Sequence, residues 1–354
     1  MARPPVSRQS DAMDTLDRRA FLAAAGASAA IPFTACAQET GSEWRTMPSL
    51  PWAVQEIYCA VSNGAIVTAG GLRRVGGVTE IEDRTATWTP GARAWADGPR
   101  LPAPRHHPMI VADAAGGVFA LGGYGRSEAG EWTSMTEVWA LDGDRWVEAG
   151  RLPEPLSETV GVELGGRIHL VTGRSPGERN GQWNDQLDVA THRVFLPAER
   201  RWETAAPCPM ARNSAAGAVL NGVLWVAGGR TVSGGGTGRL DRYSPVDDRW
   251  DTLAPIPPSP TTGQQVDGGL AMASAGGKLV AFGGEWFQRG GGGGVFSETW
   301  IYDPAADRWA AGPAMLTPRH GLAAAAVDDV IYAIAGGEVV SGGRAGGVVE
   351  ALVT

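Results

Sequence analysis

The residues with the greatest chemical potential flank a short apolar segment near the C-terminus, TPRHGLAAAAVDDVIYAIAGGE. Arg319 and His320 open the segment and Glu338 closes it, and Arg319 and Glu338 each stand nine residues from the Asp328-Asp329 pair. An antiparallel hairpin that turns at this pair brings both ends together, to within one residue of register. Such a set could clamp a carboxylate and exchange protons with a ligand. The pattern predicts a binding site without naming its ligand.

Similar polar residues recur at the ends of five other apolar hairpins. Charged groups are costly to desolvate, so a converging set is expected where water or a ligand pairs with it. We predict that Glu285, Glu338 and His320 are the candidate catalytic residues. The candidate ligand-binding residues are Arg105, His106, His107, Glu158, Arg174, Arg212, Asn213, Arg230, Arg319 and Trp286. An alternative remains open, in which the arginines that begin inner strands only bind loop carbonyls.

The elements that must position these residues are internal repeats. Apolar runs end in glycine doublets at Gly70-Gly71, Gly122-Gly123, Gly228-Gly229, Gly283-Gly284 and Gly336-Gly337, with a degraded copy at Gly173. The doublets recur about every 53 residues. An aromatic residue and a tryptophan seven residues later follow most copies, at Trp88/Trp95, Trp139/Trp146, Phe195/Trp202, Tyr243/Trp250 and Tyr302/Trp309.

This pattern resembles the Kelch repeat, whose copies form four-stranded blades of a β-propeller. The resemblance implies an all-β, six-bladed Kelch-type β-propeller over residues 38–354. Runs such as VIYAIAGG and GVLWVAGG have the composition of strands buried on both faces. The repeated tryptophans are expected to pack between blades. Trp44 lacks a preceding doublet and the final GGVVEALVT lacks a following tryptophan, so an N-terminal strand is expected to complete the last blade and close the ring.

The first 37 residues are interpreted as a twin-arginine-type export signal. Arg18 and Arg19 precede Phe21 and Leu22, an Ala-rich segment follows, and ACA before Gln38 fits a cleavage site. We therefore expect the precursor to engage the twin-arginine export machinery and the mature protein to be periplasmic or secreted. Lipid anchoring through Cys36 is the alternative. No transmembrane span is expected, because this apolar run is too short.

Composition excludes some classes of function. The net charge is −8, with 30 Lys and Arg residues against 38 Asp and Glu, so a nucleic-acid surface is not expected. Three cysteines do not suffice for a disulfide framework. The run Gly290 to Gly294 lacks the context of a phosphate loop. No cofactor is expected, and we expect a monomer.

Three functions remain in competition. Loop aromatics at Trp132, Trp183 and Trp286 beside charged groups suit a sugar or sugar acid as ligand, and the alternative that these tryptophans only hold long loops in place remains open. Among Kelch proteins the architecture is similar to that of the periplasmic N-acetylneuraminate mutarotase, an exported six-bladed propeller, which implies an isomerase as one possibility. The second function is a non-catalytic module that binds an exported protein or cell-wall polymer. The third, a copper-radical oxidase using His106, His107, His320 and Tyr124, is disfavoured by the six-repeat count.

Overall fold

A computed structural model describes residues 42–288 and 290–353. The export signal predicted for residues 1–37 lies outside this range. Within the described residues the regular structure is β-strand, apart from a 3-10 turn at Trp183–Asp185. No helix in this part of the chain is long and apolar enough to cross a membrane. Cys59 and Cys208 are free thiols.

Six four-stranded antiparallel sheets form the blades, and the strands of each run in order from the innermost to the outermost. Blade 1 consists of β2 (Tyr58–Ser62), β3 (Ala65–Ala69), β6 (Thr85–Trp88) and β7 (Ala96–Asp97). Blade 2 consists of β8 (Met109–Ala112), β9 (Val118–Leu121), β12 (Glu137–Asp142) and β13 (Arg145–Arg151). Blade 3 consists of β14 (Val160–Leu164), β15 (Arg167–Val171), β18 (His192–Leu196) and β19 (Arg201–Thr204).

The second half of the ring repeats this order. Blade 4 consists of β20 (Ala216–Leu220), β21 (Val223–Ala227), β24 (Leu240–Ser244) and β25 (Arg249–Leu253). Blade 5 consists of β26 (Leu270–Ala275), β27 (Lys278–Gly283), β30 (Thr299–Asp303) and β31 (Arg308–Ala311). Blade 6 consists of β32 (Ala323–Val327), β33 (Val330–Gly337), β34 (Ala345–Val353) and β1 (Trp44–Met47). Each innermost strand contacts the next one, and β32 contacts β2, so the ring is closed.

Five blades carry a short hairpin between their second and third strands. These hairpins are β4 (Leu72–Val75) with β5 (Val78–Ile81), β10 (Tyr124–Arg126) with β11 (Trp132–Ser134), β16 (Arg174–Pro176) with β17 (Gln186–Asp188), β22 (Arg230–Thr231) with β23 (Gly235–Gly236), and β28 (Glu285–Phe287) with β29 (Gly293–Val295). In blade 6 the same extension continues β33 and β34. All of them lie at one end of the ring, because each follows the end of a second strand.

The predicted closure by the N-terminal strand is confirmed. Strand β1 pairs with β34 in antiparallel register, with Trp44 opposite Leu352. The Trp44 ring packs edge-on against Phe282 at 5.1 Å. Its indole nitrogen donates to Thr299 Oγ1 at 3.0 Å, on blade 5. The first described strand therefore fastens the last blade to its neighbour.

The repeated tryptophans connect neighbouring blades, as expected. Indole nitrogens donate to carbonyls of the segment that enters the same blade from the previous one. The donor and acceptor pairs are Trp95 to Pro48, Trp146 to Pro99, Trp250 to Ala206, Trp309 to Ala254 and Trp44 to Pro313, at 2.8 to 3.1 Å. A buried indole N–H needs an acceptor, and these carbonyls supply it.

The glycine doublets occupy left-handed backbone, but the sixth doublet is displaced by one residue. In blade 6 the two left-handed residues are Ala335 (φ 55°) and Gly336 (φ 107°). Gly337 then pairs with His320, as Tyr124 pairs with His106 in blade 2. Gly337, rather than Glu338, therefore takes the inward-facing position after the doublet. A slip of one residue in a strand moves a side chain to the opposite face.

Candidate functional site at the mouth of the ring

Six residues form a ring of backbone around the central axis, one at the entrance to each innermost strand. Each has a positive φ: Glu56 (54°), His107 (52°), Glu158 (50°), Ser214 (52°), Gly269 (64°) and Gly321 (57°). Hydrogen bonds link them from blade to blade: His107 N to Glu56 O (3.2 Å), Ser214 N to Glu158 O (3.2 Å), Gly269 N to Ser214 O (3.2 Å) and Gly321 N to Gly269 O (2.8 Å). The backbone thus directs four polar side chains toward the axis, and the two glycines leave space beside them.

The first polar contact across this ring joins Glu56 of blade 1 to His107 of blade 2. Glu56 Oε2 lies 2.9 Å from His107 Nε2, and His107 Nδ1 lies 2.8 Å from His106 Nδ1. Burial disfavours the imidazolium, yet the adjacent Glu56 carboxylate raises the pKa of His107 above its usual value. Burial and the neighbouring His107 charge instead hold the pKa of His106 well below its usual value. His107 is therefore the more readily protonated member of the pair.

Glu158 of blade 3 is completely buried and is surrounded by donors from three blades. Its Oε2 accepts from Ser214 Oγ at 2.5 Å, and its Oε1 accepts from Tyr124 Oη at 3.1 Å. Arg174 Nη1 lies 3.4 Å from Oε1, and Arg230 Nη2 lies 3.7 Å from Oε2. Although burial opposes ionisation, His107 and these two guanidinium groups lower the pKa of Glu158. Glu158 therefore stays anionic and holds both arginines at the axis.

Arg230 of blade 4 joins Glu158 to Glu285 of blade 5. Its Nη1 donates to Glu285 Oε1 at 2.8 Å, and its Nε donates to Asn213 Oδ1 at 3.3 Å. Burial disfavours the guanidinium, but Glu158 and Glu285 outweigh that effect and raise the pKa of Arg230. One fifth of its side chain remains exposed. Arg230 is thus oriented by its partners while still presenting a surface to a ligand.

His320 of blade 6 completes the circuit. Its Nδ1 lies 3.6 Å from Glu56 Oε1 and 3.5 Å from Glu285 Oε2, and its Nε2 lies 2.9 Å from the Ser341 carbonyl. Together with the contacts above, polar contacts cross all six blade interfaces around the axis. We call this set the polar circuit: Glu56, His107, Tyr124, Glu158, Arg230, Glu285 and His320.

The polar circuit lies at the base of a central cavity of about 1560 Å³. Four residues of the polar circuit line this cavity: Glu56, His107, Arg230 and Glu285. Arg174, which is not part of the circuit, also lines it. Aromatic side chains from the hairpins also line it: Trp132, Trp183 and Phe287. The Arg174 guanidinium stacks on Trp183 at 3.9 Å from the ring centroid. The cavity therefore combines fixed charges at its base with aromatic faces on its walls.

Three arginines of the sequence prediction point into the blades instead. They form equivalent ion pairs with third-strand acids: Arg105 with Glu137 at 3.0 Å, Arg212 with Asp241 at 2.8 Å and Arg319 with Glu350 at 3.0 Å. Arg319 also donates to the carbonyls of Ala335, Thr317 and Ala333. None of the three lines the central cavity in the described part of the chain. Their contacts match the scaffolding interpretation that the sequence left open.

The remaining predicted residues take varied positions. Glu338 lies outside the cavity lining and is 3.5 Å from Arg344. Trp286 packs on the apolar core between blades 4 and 5, while its neighbour Phe287 faces the cavity. Asn213 is buried, donates to Asp188 at 2.6 Å and supports Arg230. Within residues 42–288 and 290–353, no three His, Cys, Asp or Glu side chains are grouped as metal ligands.

Glu56 and Arg74 line the cavity but were not among the predicted site residues. Glu56 lies at the start of an inner strand and could be found from its equivalence to His107 and Glu158. Arg74 lies two residues beyond Leu72 on β4, so strand alternation points both toward the cavity. Outside the site, His169 Nδ1 lies 2.8 Å from His192 Nε2 in the core. Both histidines are buried, so they belong to the core of blade 3 rather than to the cavity.

Comparison with known proteins places these features in a family context. Kelch motifs match residues 211–257 and 268–316. The chain is 27% identical over 184 residues to beta-scruin of Limulus polyphemus, covering 50% of this chain and 19% of that protein. It is 27% identical over 262 residues to Kelch-like protein 15 of Danio rerio, covering 68% and 40% respectively. It therefore spans less than half the length of these two relatives.

Two further similarities cover most of the chain. Kelch-like protein terF of Aspergillus terreus is 25% identical over 329 residues, which is 87% of this chain and 67% of that protein. The solved structure titled "Structure of YjhT" superimposes with a TM-score of 0.71 at 14% identity, covering 86% of this chain and 95% of that one. The structural likeness concerns the fold alone. The chain is a Kelch-type six-bladed β-propeller with Kelch motifs in blades 4 and 5.

Proposed function

We propose that this protein binds a sugar or sugar acid in the central cavity. The observation that carries the proposal is the position of Arg230, which is one-fifth exposed at the base of the cavity and fixed by Glu158 and Glu285. A guanidinium held in this way can receive a carboxylate in bidentate geometry. The aromatic walls at Trp132, Trp183 and Phe287 suit the apolar C–H faces of a sugar ring.

The same site offers groups for anomer exchange. That reaction requires a base to take the proton of the anomeric hydroxyl while an acid protonates the ring oxygen, after which the opened ring closes on either face. Two acid–base pairs adjoin the cavity: Glu56 with His107 at 2.9 Å, and Glu285 with His320 at 3.5 Å. His107, with its raised pKa, can act as the acid, and Glu285 can act as the base. Mutarotation is thus the reaction this site would support.

A thermal-shift screen against sugars and sugar acids tests the binding proposal, because a ligand that binds the folded state raises its apparent stability. Hits are then measured by saturation-transfer NMR, which also reports anomer exchange. Arg230→Lys keeps the charge between Glu158 and Glu285 but removes the planar fork, so it should lose at least tenfold in affinity. Arg145→Lys is the matched control, since Arg145 is exposed on the outer strand β13. No shift with any sugar or sugar acid would reject the proposal.

We also propose that the chain is exported through the twin-arginine pathway and is periplasmic or secreted. Its support is the sequence alone, in the Arg18-Arg19 pair and the Ala-Cys-Ala preceding Gln38. Replacing both arginines by lysine should leave the precursor in the cytoplasmic fraction. A mature mass that begins at Gln38 supports cleavage, whereas a lipid-modified Cys36 supports anchoring. A full-length protein in the cytoplasm of its native host would refute export.

A second candidate function is an interaction module that docks an exported protein or cell-wall polymer. Exposed apolar side chains on the hairpins around the cavity favour it: Val78 is 64% exposed, Val232 47% and Phe287 43%. A photo-crosslinker at position 78 should capture such a partner. One at Val246, which is 91% exposed in the β24–β25 turn at the other end of blade 4, should not. Equal capture at both positions would count against a docking face.

A further inference from the structure

The central cavity is larger than a single sugar unit requires. Pockets for small ligands occupy about 300–1,000 Å³, whereas this cavity measures about 1560 Å³. The charged groups that could hold a carboxylate at its base, Arg174 and Arg230, belong to blades 3 and 4. A monosaccharide bound to these two arginines would leave the side of the cavity formed by blade 1 empty.

That opposite side carries another cation. Arg74 lies on β4 of blade 1 and lines the same cavity, and blade 1 is directly across the six-membered ring from blade 4. Its neighbour Arg73, on the other face of the strand, is 2.9 Å from Glu80 and 3.4 Å from Glu82. Arg74 has no ion pair or hydrogen bond with any residue of the described chain. An exposed guanidinium without a protein partner, facing a cavity, is available to an anionic ligand.

The acids of the cavity are already engaged, so they do not compete for Arg74. Glu56 is paired with His107, and Glu285 is bound by Arg230 and by the Ser341 amide at 2.8 Å. Asp267 accepts from the Phe287 amide at 2.7 Å and from the Gly236 amide. The cavity can therefore attract anions even though the net charge of the chain is −8.

Apolar surface connects the base with the rim. Phe287 lies 5.8 Å from the Arg230 guanidinium and is 43% exposed. Val232 and Val340 line the same cavity. Sugar rings that extend from the base toward the rim would cover more of this surface than a single unit at the base can.

We infer that the ligand is an acidic oligosaccharide with at least two acidic units. The terminal unit binds Arg174 and Arg230 at the base, and the carboxylate of a further unit binds Arg74 at the rim. This inference rests on the proposed function, because it concerns the same cavity. It extends that function from a single sugar acid to a chain bound by its end.

Isothermal titration with two homologous series tests the inference. The probes are galacturonic acid and N-acetylneuraminic acid, each as the monomer and as the linked dimer and trimer. For the series that binds, the dimer or trimer should bind at least tenfold more tightly than the monomer. Arg74→Gln should weaken the longer ligand about three- to fivefold, as expected for an exposed ion pair, and leave the monomer within twofold.

Arg73→Gln is the matched control, because the same residue type is removed one position away on the other face of β4. It should change neither affinity. If the monomer binds and the longer ligands bind no more tightly, or if Arg74→Gln leaves the longer ligand unaffected, the inference is wrong and the proposed function stands. If no member of either series binds, the inference is wrong, and the thermal-shift screen against all sugars and sugar acids decides the proposed function.

Discussion

Arg319 is the residue for which a structural role can be distinguished most clearly from a role in ligand binding. Its side chain is completely buried, as is its partner Glu350 at 3.0 Å on strand β34. It also donates to the carbonyls of Ala335 and Thr317 at 2.8 Å each. We therefore predict that Arg319→Gln destabilises the protein without removing a ligand contact.

The magnitude follows from what the substitution leaves behind. Glu350 has no other ion-pair partner in the described chain, so it would remain buried and uncompensated. Breaking a buried pair in this way costs about 3–5 kcal/mol. The equivalent Arg105→Gln should cost about 1–2 kcal/mol, because the carboxylate that it leaves unpaired, that of Glu137, is partly exposed and keeps part of its hydration. Its partner Glu137 is one-quarter exposed and has Arg151 at 3.4 Å as a second cation.

Denaturant unfolding at pH 7 measures both free energies of unfolding. Arg319→Gln should lose more than twice as much stability as Arg105→Gln. Adding Glu350→Gln to Arg319→Gln should restore at least about 1 kcal/mol, because the pair is coupled. A loss below about 1 kcal/mol for Arg319→Gln, or a tenfold loss of ligand affinity in a variant of full stability, would refute this assignment.

Three other predictions concern the stability of the fold. Gly123→Ala should unfold or strongly destabilise the protein, because a Cβ at φ 83° would lie 2.8 Å from the His106 carbonyl oxygen. The control is Gly77→Ala, at φ 85° in open space, which should lower the free energy of unfolding by only about 1 kcal/mol in thermal denaturation. Burial lowers the pKa of His169 and of His192 to about 4, so stability should fall as pH drops from 6.5 toward 4, by about 2 kcal/mol or more at pH 5. The double variant to Gln should lose that part of the pH dependence in urea titrations, and an unchanged slope would contradict it. Trp44→Ala should cost about 3–5 kcal/mol by opening the closure of blade 6, and a loss under about 1 kcal/mol would exclude that role.

The repeat architecture could be predicted because its signals are local. A glycine doublet indicates left-handed backbone, and a tryptophan at a fixed spacing after an aromatic residue indicates a contact between blades. Both concern one blade and its neighbour. The closing strand was predictable for the same reason, since Trp44 is a fourth-strand residue without the strands that normally precede it. Each feature is marked by residues that stand close together in the sequence, even where the strands that they predict, β1 and β34, pair across the whole described chain.

The site was harder to predict because side-chain direction changes with each residue of a strand. Three consecutive residues, Ala335, Gly336 and Gly337, could supply the sixth doublet, and backbone conformation selects the first two. The prediction therefore placed Glu338 in the cavity. The choice of Trp286 over Phe287 is a displacement of the same kind.

The arginines that point into the blades could not be given a structural role from the sequence, because their partners lie on the third strands. Arg212 and Arg319 resemble Arg230 in sequence context, since all are arginines at the ends of inner strands. Their buried partners Asp241 and Glu350 lie 29 and 31 residues further along the chain. Only the packing of each blade shows that the guanidinium groups form ion pairs with these acids rather than with a ligand.

The most direct test of a carboxylate-binding base compares each sugar acid with its methyl ester by isothermal titration against the wild-type protein and Arg230→Lys. The ester has the same shape but lacks the charge that Arg230 would bind. We predict that esterification weakens binding to the wild type at least tenfold and that this difference is much smaller in Arg230→Lys. Equal affinity of acid and ester for the wild-type protein would contradict a carboxylate-binding role for Arg230.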